Sequence, residues 1–294
     1  MTTTSNGPWV SDSALDTRFH QALPRLPKAA LRIGIVNLMP HAEQYEQWLV
    51  PPLTASSAVE PVWIRVHGRQ FSLDDRARID RIYRTYDESL ANGRLHGLIV
   101  SGAAVEHLPY EEVRFLDELS EIVDHSMRAG VPVLGLCWGA LAVAHLLCGA
   151  PKRVYQKKVF GIFETDLLVE DNPIAAGLDD RFWSAHSRYA GFDDDALDSL
   201  PVAAHMRTLA RSRQAGTVIA ESLDHQVVMH IGHPEYSATR LLDEYRRDRR
   251  LKVKGVEPPV NVDMEHPVNL WRSNSLVFFA NWIRFVTQRA GDHA

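Results

Sequence analysis

The chain predicts an α/β fold: a doubly wound, mostly parallel sheet with extra strands and a C-terminal helix. Three observations carry that expectation. Apolar runs of strand length alternate with stretches of helical periodicity through the first half, the pattern of strand, helix and strand that closes a parallel sheet. The glycine-flanked Gly135-Leu136-Cys137-Trp138-Gly139 stands where a buried run gives way to a helical one, as at a tight strand-to-helix turn. The second half holds more strand-like pieces, which extend such a sheet or fold over its edge.

Taken in order, Leu31 to Leu38 (LRIGIVNL), Glu60 to Val66 (EPVWIRV), Leu98 to Val100 with its flanks, and Val131 to Leu136 (VPVLGL) read as buried strands. From Tyr110 to Arg128 the apolar positions Val113, Phe115, Leu116, Leu119, Ile122, Val123 and Met127 recur near a 3.6 period, with acidic residues early, where the helix dipole favours them. A helix follows Cys137 and runs to about Cys148, where Gly149 marks its stop. Val159 to Leu168, Phe182 to Tyr189, Thr217 to Glu221 and Gln226 to Ile231 read as strands. Ala238 to Arg250 reads as a charged helix, Glu257-Pro258-Pro259 as a loop and Leu276 to Val286 as an apolar terminal helix. Residues 1–28 read as a flexible tail and residues 29–290 as a single domain.

Composition narrows the function. The 294 residues are 45% hydrophobic and 23% charged, the balance of a globular chain. A formal net charge of −5, with Lys and Arg spread along the chain, gives no electrostatic footprint for nucleic acid. No apolar run approaches the roughly 20 residues a membrane span needs. The start lacks the apolar core of a secretory signal, so a cytoplasmic location is expected. The two cysteines, Cys137 and Cys148, are eleven residues apart in a largely helical stretch, roughly 16 Å at a helical rise, too far for a disulfide. No His-Glu-x-x-His or Cys-x-x-Cys spacing points to a metal, and no cofactor is expected.

Cys137 sits between two glycines at the carboxyl edge of a predicted strand, where α/β folds bind ligands. The helix that starts there offers unpaired N–H groups and the positive end of its dipole, which favour a thiolate and a developing oxyanion. Cys148, in an apolar helical stretch, reads as a small buried hydrophobe. A cysteine nucleophile wants a base and an orienting acid. Gly232-His233-Pro234-Glu235 supplies both at the end of a strand-like run, with the carboxylate able to hold one imidazole tautomer.

This Cys137, His233, Glu235 order resembles the triad of class I glutamine amidotransferases, whose flavodoxin-like fold it implies. Within that superfamily the chain resembles the homoserine O-acyltransferases, the homoserine transsuccinylase family. The matching segments are Ile33 to Pro40 (IGIVNLMP), Gly97 to Ala103 (GLIVSGA), Cys137-Trp138, Gly149 to Lys152, Lys158 with Gly161, His186 to Ala190, Gly232 to Tyr236, Trp271 to Ser273, and Asn281-Trp282. They span residues 30–286. The resemblance implies ping-pong acyl transfer from acyl-CoA as co-substrate to an amino-acid hydroxyl, with Cys137 as nucleophile, His233 as base and Glu235 orienting it. It implies that Lys158, Ser187 and Arg247 hold the acceptor, and that the protein is a homodimer. Taken alone, Lys158 beside Lys157 and Arg247 beside Arg246 read as solvated charges.

In that family the position held here by Glu106 separates succinyl from acetyl users. A carboxylate there repels the free carboxylate of succinyl-CoA, so the expected function is homoserine O-acetyltransferase in methionine biosynthesis. An acidic residue at this place also suits the cap of a helix starting near Pro109. One departure follows Pro40: where the family has a Lys pair, this chain has His41-Ala42-Glu43 and is one residue shorter. That keeps L-serine, one methylene shorter than homoserine, open as acceptor. Homoserine O-succinyltransferase and an amidase or hydrolase of the superfamily are the remaining readings.

Overall fold

A computed structural model describes residues 30–69, 71, 75–199 and 202–291; the tail expected over residues 1–28 lies outside them. The strands are β1 (Leu31–Val36), β2 (Val59–Ile64), β3 (Gly97–Val100), β4 (Val133–Leu136), β5 (Lys152–Leu167), β6 (Arg181–Phe192), β7 (Met206–Ser212), β8 (Gly216–Ser222) and β9 (Val227–His230). The helices are α1 (Ala42–Thr54), α2 (Arg76–Ile82), α3 (Tyr86–Ala91), α4 (Leu116–Arg128), α5 (Trp138–Cys148), α6 (Asp194–Leu197), α7 (Arg240–Arg250) and α8 (Arg272–Gly291).

All nine strands join one sheet in the order β2-β1-β3-β4-β9-β8-β7-β5-β6. The first five of that order are mutually parallel, and β8, β7, β5 and β6 continue the sheet antiparallel. The late strands therefore extend the sheet rather than fold over it. Strand periodicity sends alternate side chains to opposite faces. On one face Ile33, Ile35, Ile99 and Leu134 meet Tyr45 and Leu49 of α1 and Phe279 and Trp282 of α8. On the other, Val36, Leu98, Val100 and Met229 meet Leu119 and Ile122 of α4 and Ala140 and Val143 of α5. Both faces are covered, which is why β1, β3, β4 and β9 read as unbroken apolar runs. Among the described residues no helix is long and apolar enough to cross a membrane.

The structure adds α2, α3 and α6 to the expected elements, starts β5 at Lys152 rather than Val159, and differs at three further places. The helix expected from Tyr110 opens as a separate 3₁₀ turn, Tyr110–Glu112, and α4 begins only at Leu116. Tyr110 is tied down instead, its hydroxyl donating to the Leu141 carbonyl at 3.0 Å and its ring stacked 4.0 Å from His145. No element is expected from the pattern over α1, which holds Pro51-Pro52 within the helix. β7 was missed because Arg207 and Arg211 break its apolar run; they pair with Glu221 and Asp198.

The approach of α5 to the sheet positions the site. A methyl group on Gly139 would stand 2.2 Å from the Val100 carbonyl oxygen, and one on Gly135 would stand 2.6 Å from Ala140 Cα. Gly139→Ala is expected to cost about 3 kcal/mol or more, because only backbone can give way. Gly149→Ala, at φ 70° with nothing within 4 Å, is expected to cost about 1–2 kcal/mol. Urea unfolding of the two variants measures the difference.

Candidate active site

Between β4 and α5, Cys137 adopts φ 52°, ψ −117°, a left-handed backbone that a non-glycine residue holds only under constraint. Its N–H donates to the His230 carbonyl of β9 at 2.9 Å, and its carbonyl accepts from Ala140 N at 3.0 Å, so the turn is pinned on both sides. The side chain is 5% exposed and lines a cavity of about 250 Å³. The first N–H groups of α5, which follow Cys137 directly, have no acceptor within the helix.

His233 lies in a turn just past β9. The turn brings His233 and Glu235 together. The His233 N–H donates to the Ala185 carbonyl of β6 at 2.8 Å, and Nδ1 meets Glu235 Oε1 at 2.9 Å. The imidazole also hydrogen-bonds Cys137. Burial by itself pulls the His233 pKa down. The negative charges of Cys137 and Glu235 outweigh it and push the pKa up to about 10. The Tyr236 ring stacks on the imidazole at 3.9 Å and 12°.

The other expected residues share the cavity. Glu106, Lys158, Ser187 and Arg247 line it with Cys137 and His233. Glu106 caps no helix; its Oε1 accepts from Tyr189 N at 3.4 Å. Lys158 on β5 and Ser187 on β6 reach toward α7, where Ser187 Oγ donates to Glu244 Oε2 and Lys158 Nζ stands 3.5 Å from both Glu244 and Asp248. Arg247 pairs with Asp248 at 2.7 Å.

Sequence reasoning missed Tyr236, Arg240, Glu244 and Asp248. Tyr236 OH donates to Glu244 Oε1 at 2.9 Å, and Arg240 meets the same oxygen at 2.8 Å. Burial pushes the Glu244 pKa up, but Arg240, Lys158 and the Ser187 hydroxyl overcome it and bring it down to about 2. The signal was available, since Arg240, Glu244 and Arg247-Asp248 recur every three to four residues along one face of α7. Cys148 plays no part: its thiol contacts the Ala144 carbonyl and Met206 sulfur, and burial raises its pKa. Among the described residues no group of three or more His, Cys, Asp or Glu could hold a metal ion.

The fold defines the class first. The structure resembles a glutamine amidotransferase of Thermotoga maritima, with a TM-score of 0.59 at 15% identity over 87% of this chain and 98% of that one. A glutamine amidotransferase of Methylobacillus flagellatus matches with a TM-score of 0.53 at 14% identity, over 87% and 94%. At this identity the likeness establishes a glutamine amidotransferase-like fold. The family model for homoserine O-succinyltransferase matches residues 24–291. Homoserine O-acetyltransferases of Petrotoga mobilis and Bacillus subtilis are 33% and 32% identical to this chain, covering 87% and 86% of it and 83% and 84% of their own lengths. The chain therefore belongs to the homoserine O-succinyltransferase family, whose members are O-acyltransferases of methionine biosynthesis.

Two outcomes follow from these charges. At pH 6, iodoacetamide is expected to alkylate Cys137 more than about tenfold faster than Cys148, and His233→Ala is expected to erase the difference, read by peptide mass. Beneath the site, burial and neighbouring positive charge hold His186 well below its ordinary value and His230 down to about 3. A folded pKa lowered in this way contributes stability that is full above about pH 6.5 and drains away as pH falls, at up to about 1.4 kcal/mol per pH unit per group. His233, raised to about 10, contributes in the opposite sense, fully below about pH 6.5 and less as pH rises toward 10. Stability by urea unfolding is therefore expected to fall from pH 6.5 to 4.5, with a shallower slope in His230→Asn.

Proposed function

We propose that the protein is a homoserine O-acetyltransferase that moves acetyl from acetyl-CoA to the L-homoserine hydroxyl through an acyl-cysteine. The observation that carries this reading is one cavity lined by Cys137 and His233, with Glu235 bonded to His233 behind it, and by the Glu106 carboxylate and the oppositely charged Glu244 and Arg247.

Acylation begins with the Cys137 thiolate attacking the thioester carbonyl. The tetrahedral oxyanion forms against the free N–H groups at the start of α5. As the carbon–sulfur bond to CoA breaks, His233 hands its proton to the departing thiolate. The charge relation makes this transfer favourable, because the thiolate that kept His233 protonated no longer exists once Cys137 is acylated. Burial then acts on His233 with only Glu235 opposing it, and the neutral imidazole becomes the base of the second half. It takes the hydroxyl proton of the acceptor as that oxygen attacks the acyl-cysteine, and collapse returns the thiolate and the imidazolium.

The acceptor is a zwitterion, and the wall made by β5, β6 and α7 matches one. Arg247 offers a fork for the α-carboxylate, Glu244 a carboxylate for the α-ammonium, and Lys158 and Ser187 further donors. Without acceptor these groups satisfy one another through Asp248 and Glu244. Glu106, in the same cavity, opposes a second carboxylate on the acyl group, which favours acetyl over succinyl. The same reading carries a cytoplasmic homodimer, which sedimentation would check.

Incubation with acetyl-CoA is expected to add one acetyl mass to the intact protein, with none added to Cys137→Ser. Homoserine is expected to clear the adduct faster than serine. Glu106→Gly is expected to let succinyl-CoA form an adduct. No adduct and no CoA release from either donor would sink the acyltransferase mechanism.

A further inference from the structure

The end of α7 carries charge that the chemistry so far leaves unused. From Arg246 to Lys254 the sequence RRDRRLKVK holds six cations and one carboxylate, in a chain whose formal net charge is −5. Asp248 is already engaged by Lys158 and Arg247. The other five cations, Arg246, Arg249, Arg250, Lys252 and Lys254, are exposed, and among the described residues none has a carboxylate within ion-pair distance. Basic residues at a helix C-terminus complement its dipole. That accounts for Arg249 and Arg250 in the last turn, but not for Lys252 and Lys254, which lie beyond the helix.

The chain brings the end of this segment back to the cavity at Val253. Lys252 takes a left-handed backbone, φ 55°, and Val253 N donates back to the Asp248 carbonyl at 3.0 Å. This turn sets Val253 in the wall of the same cavity as Cys137, Arg247 and Asp248, although it stays 43% exposed. Lys252 and Lys254 flank it. An apolar residue on the wall, bracketed by free cations outside, suits a ligand with a neutral stem inside and an anionic end in solvent.

We propose that this turn, with Arg249, Arg250, Lys252 and Lys254, is the docking site for the phosphate groups of the acyl donor. The proposal rests on the reading of the donor as acyl-CoA. That molecule joins its thioester through a long neutral arm to a nucleotide end with about three to four negative charges at neutral pH. A cavity of about 250 Å³ that already receives an acyl group and an amino acid leaves the nucleotide end outside its mouth. The free cations there attract it over a distance of about a Debye length and compete with nothing in the protein.

The test compares two acetyl donors, acetyl-CoA and N,S-diacetylcysteamine, a small thioester without phosphate. In the triple variant R249E/R250E/K254E, kcat/KM for acetyl-CoA is expected to fall about tenfold or more, equivalent to about 1.4 kcal/mol. For the small thioester it is expected to stay within about twofold, which also reports that the variant is folded. In the unaltered protein, raising salt from 0.05 to about 0.5 M is expected to weaken acetyl-CoA use alone. Equal rates with both donors, or an equal loss with both, would overturn the proposal. Calorimetric titration with adenosine 3′,5′-bisphosphate separates this site from the acyltransfer reading. Binding that the triple variant loses supports the phosphate site even if no acetyl moves, and binding that it keeps overturns the site even if transfer proceeds.

Discussion

The closeness of α5 to the sheet is the constraint on which the site depends. Gly135 and Gly139 let helix and strand backbones approach to distances no side chain would allow. That approach leaves the residue between them a single conformation, and Cys137 takes it with a left-handed backbone. The strain is supported by hydrogen bonds on either side, one donated to the His230 carbonyl and one accepted from Ala140 N. Its consequence is a sulfur raised above the carboxyl edge of the parallel strands, beside the first N–H groups of a helix. A looser junction would leave Cys137 in the apolar layer, as Cys148 is.

The antiparallel half of the sheet does a different job. β6 supplies the Ala185 carbonyl that fixes the His233 backbone, and β5 and β6 present Lys158 and Ser187 toward α7. At the meeting point lies Glu244, buried and still ionised because Arg240, Lys158, Ser187 and Tyr236 all address it. A buried carboxylate is tolerable only with such company. Tyr236 then links that network to His233, its hydroxyl on Glu244 and its ring flat against the imidazole. The wall made by β5, β6 and α7 and the His233 imidazole are thus mechanically one unit.

Charge is distributed by depth. His186 and His230 sit neutral under the site, where burial forbids a proton. For His233, one layer up, the neighbouring Cys137 and Glu235 outweigh burial and push the pKa the other way. Further out, Lys252 and Lys254 beside Val253 face solvent.

Local pattern alone determined a good deal. The apolar runs that became β1, β3, β4 and β9 were legible because a parallel strand covered on both faces admits little but apolar residues. Cys137, His233 and Glu235 were legible because their chemistry lies in short motifs. Glu106, Lys158, Ser187 and Arg247 were legible only through resemblance, since a lone charged residue looks the same on a surface as in a cavity. Tertiary structure alone decided the rest. It turned Pro51-Pro52 into helix, halted the Tyr110 helix by anchoring that ring, and placed His233 and Glu235 in a turn. It also made Glu244 the centre of a network drawn from β5, β6 and α7. The physical reason is that a buried charge depends on partners distant in sequence, and only folding brings Lys158, Ser187 and Glu244 within reach of one another.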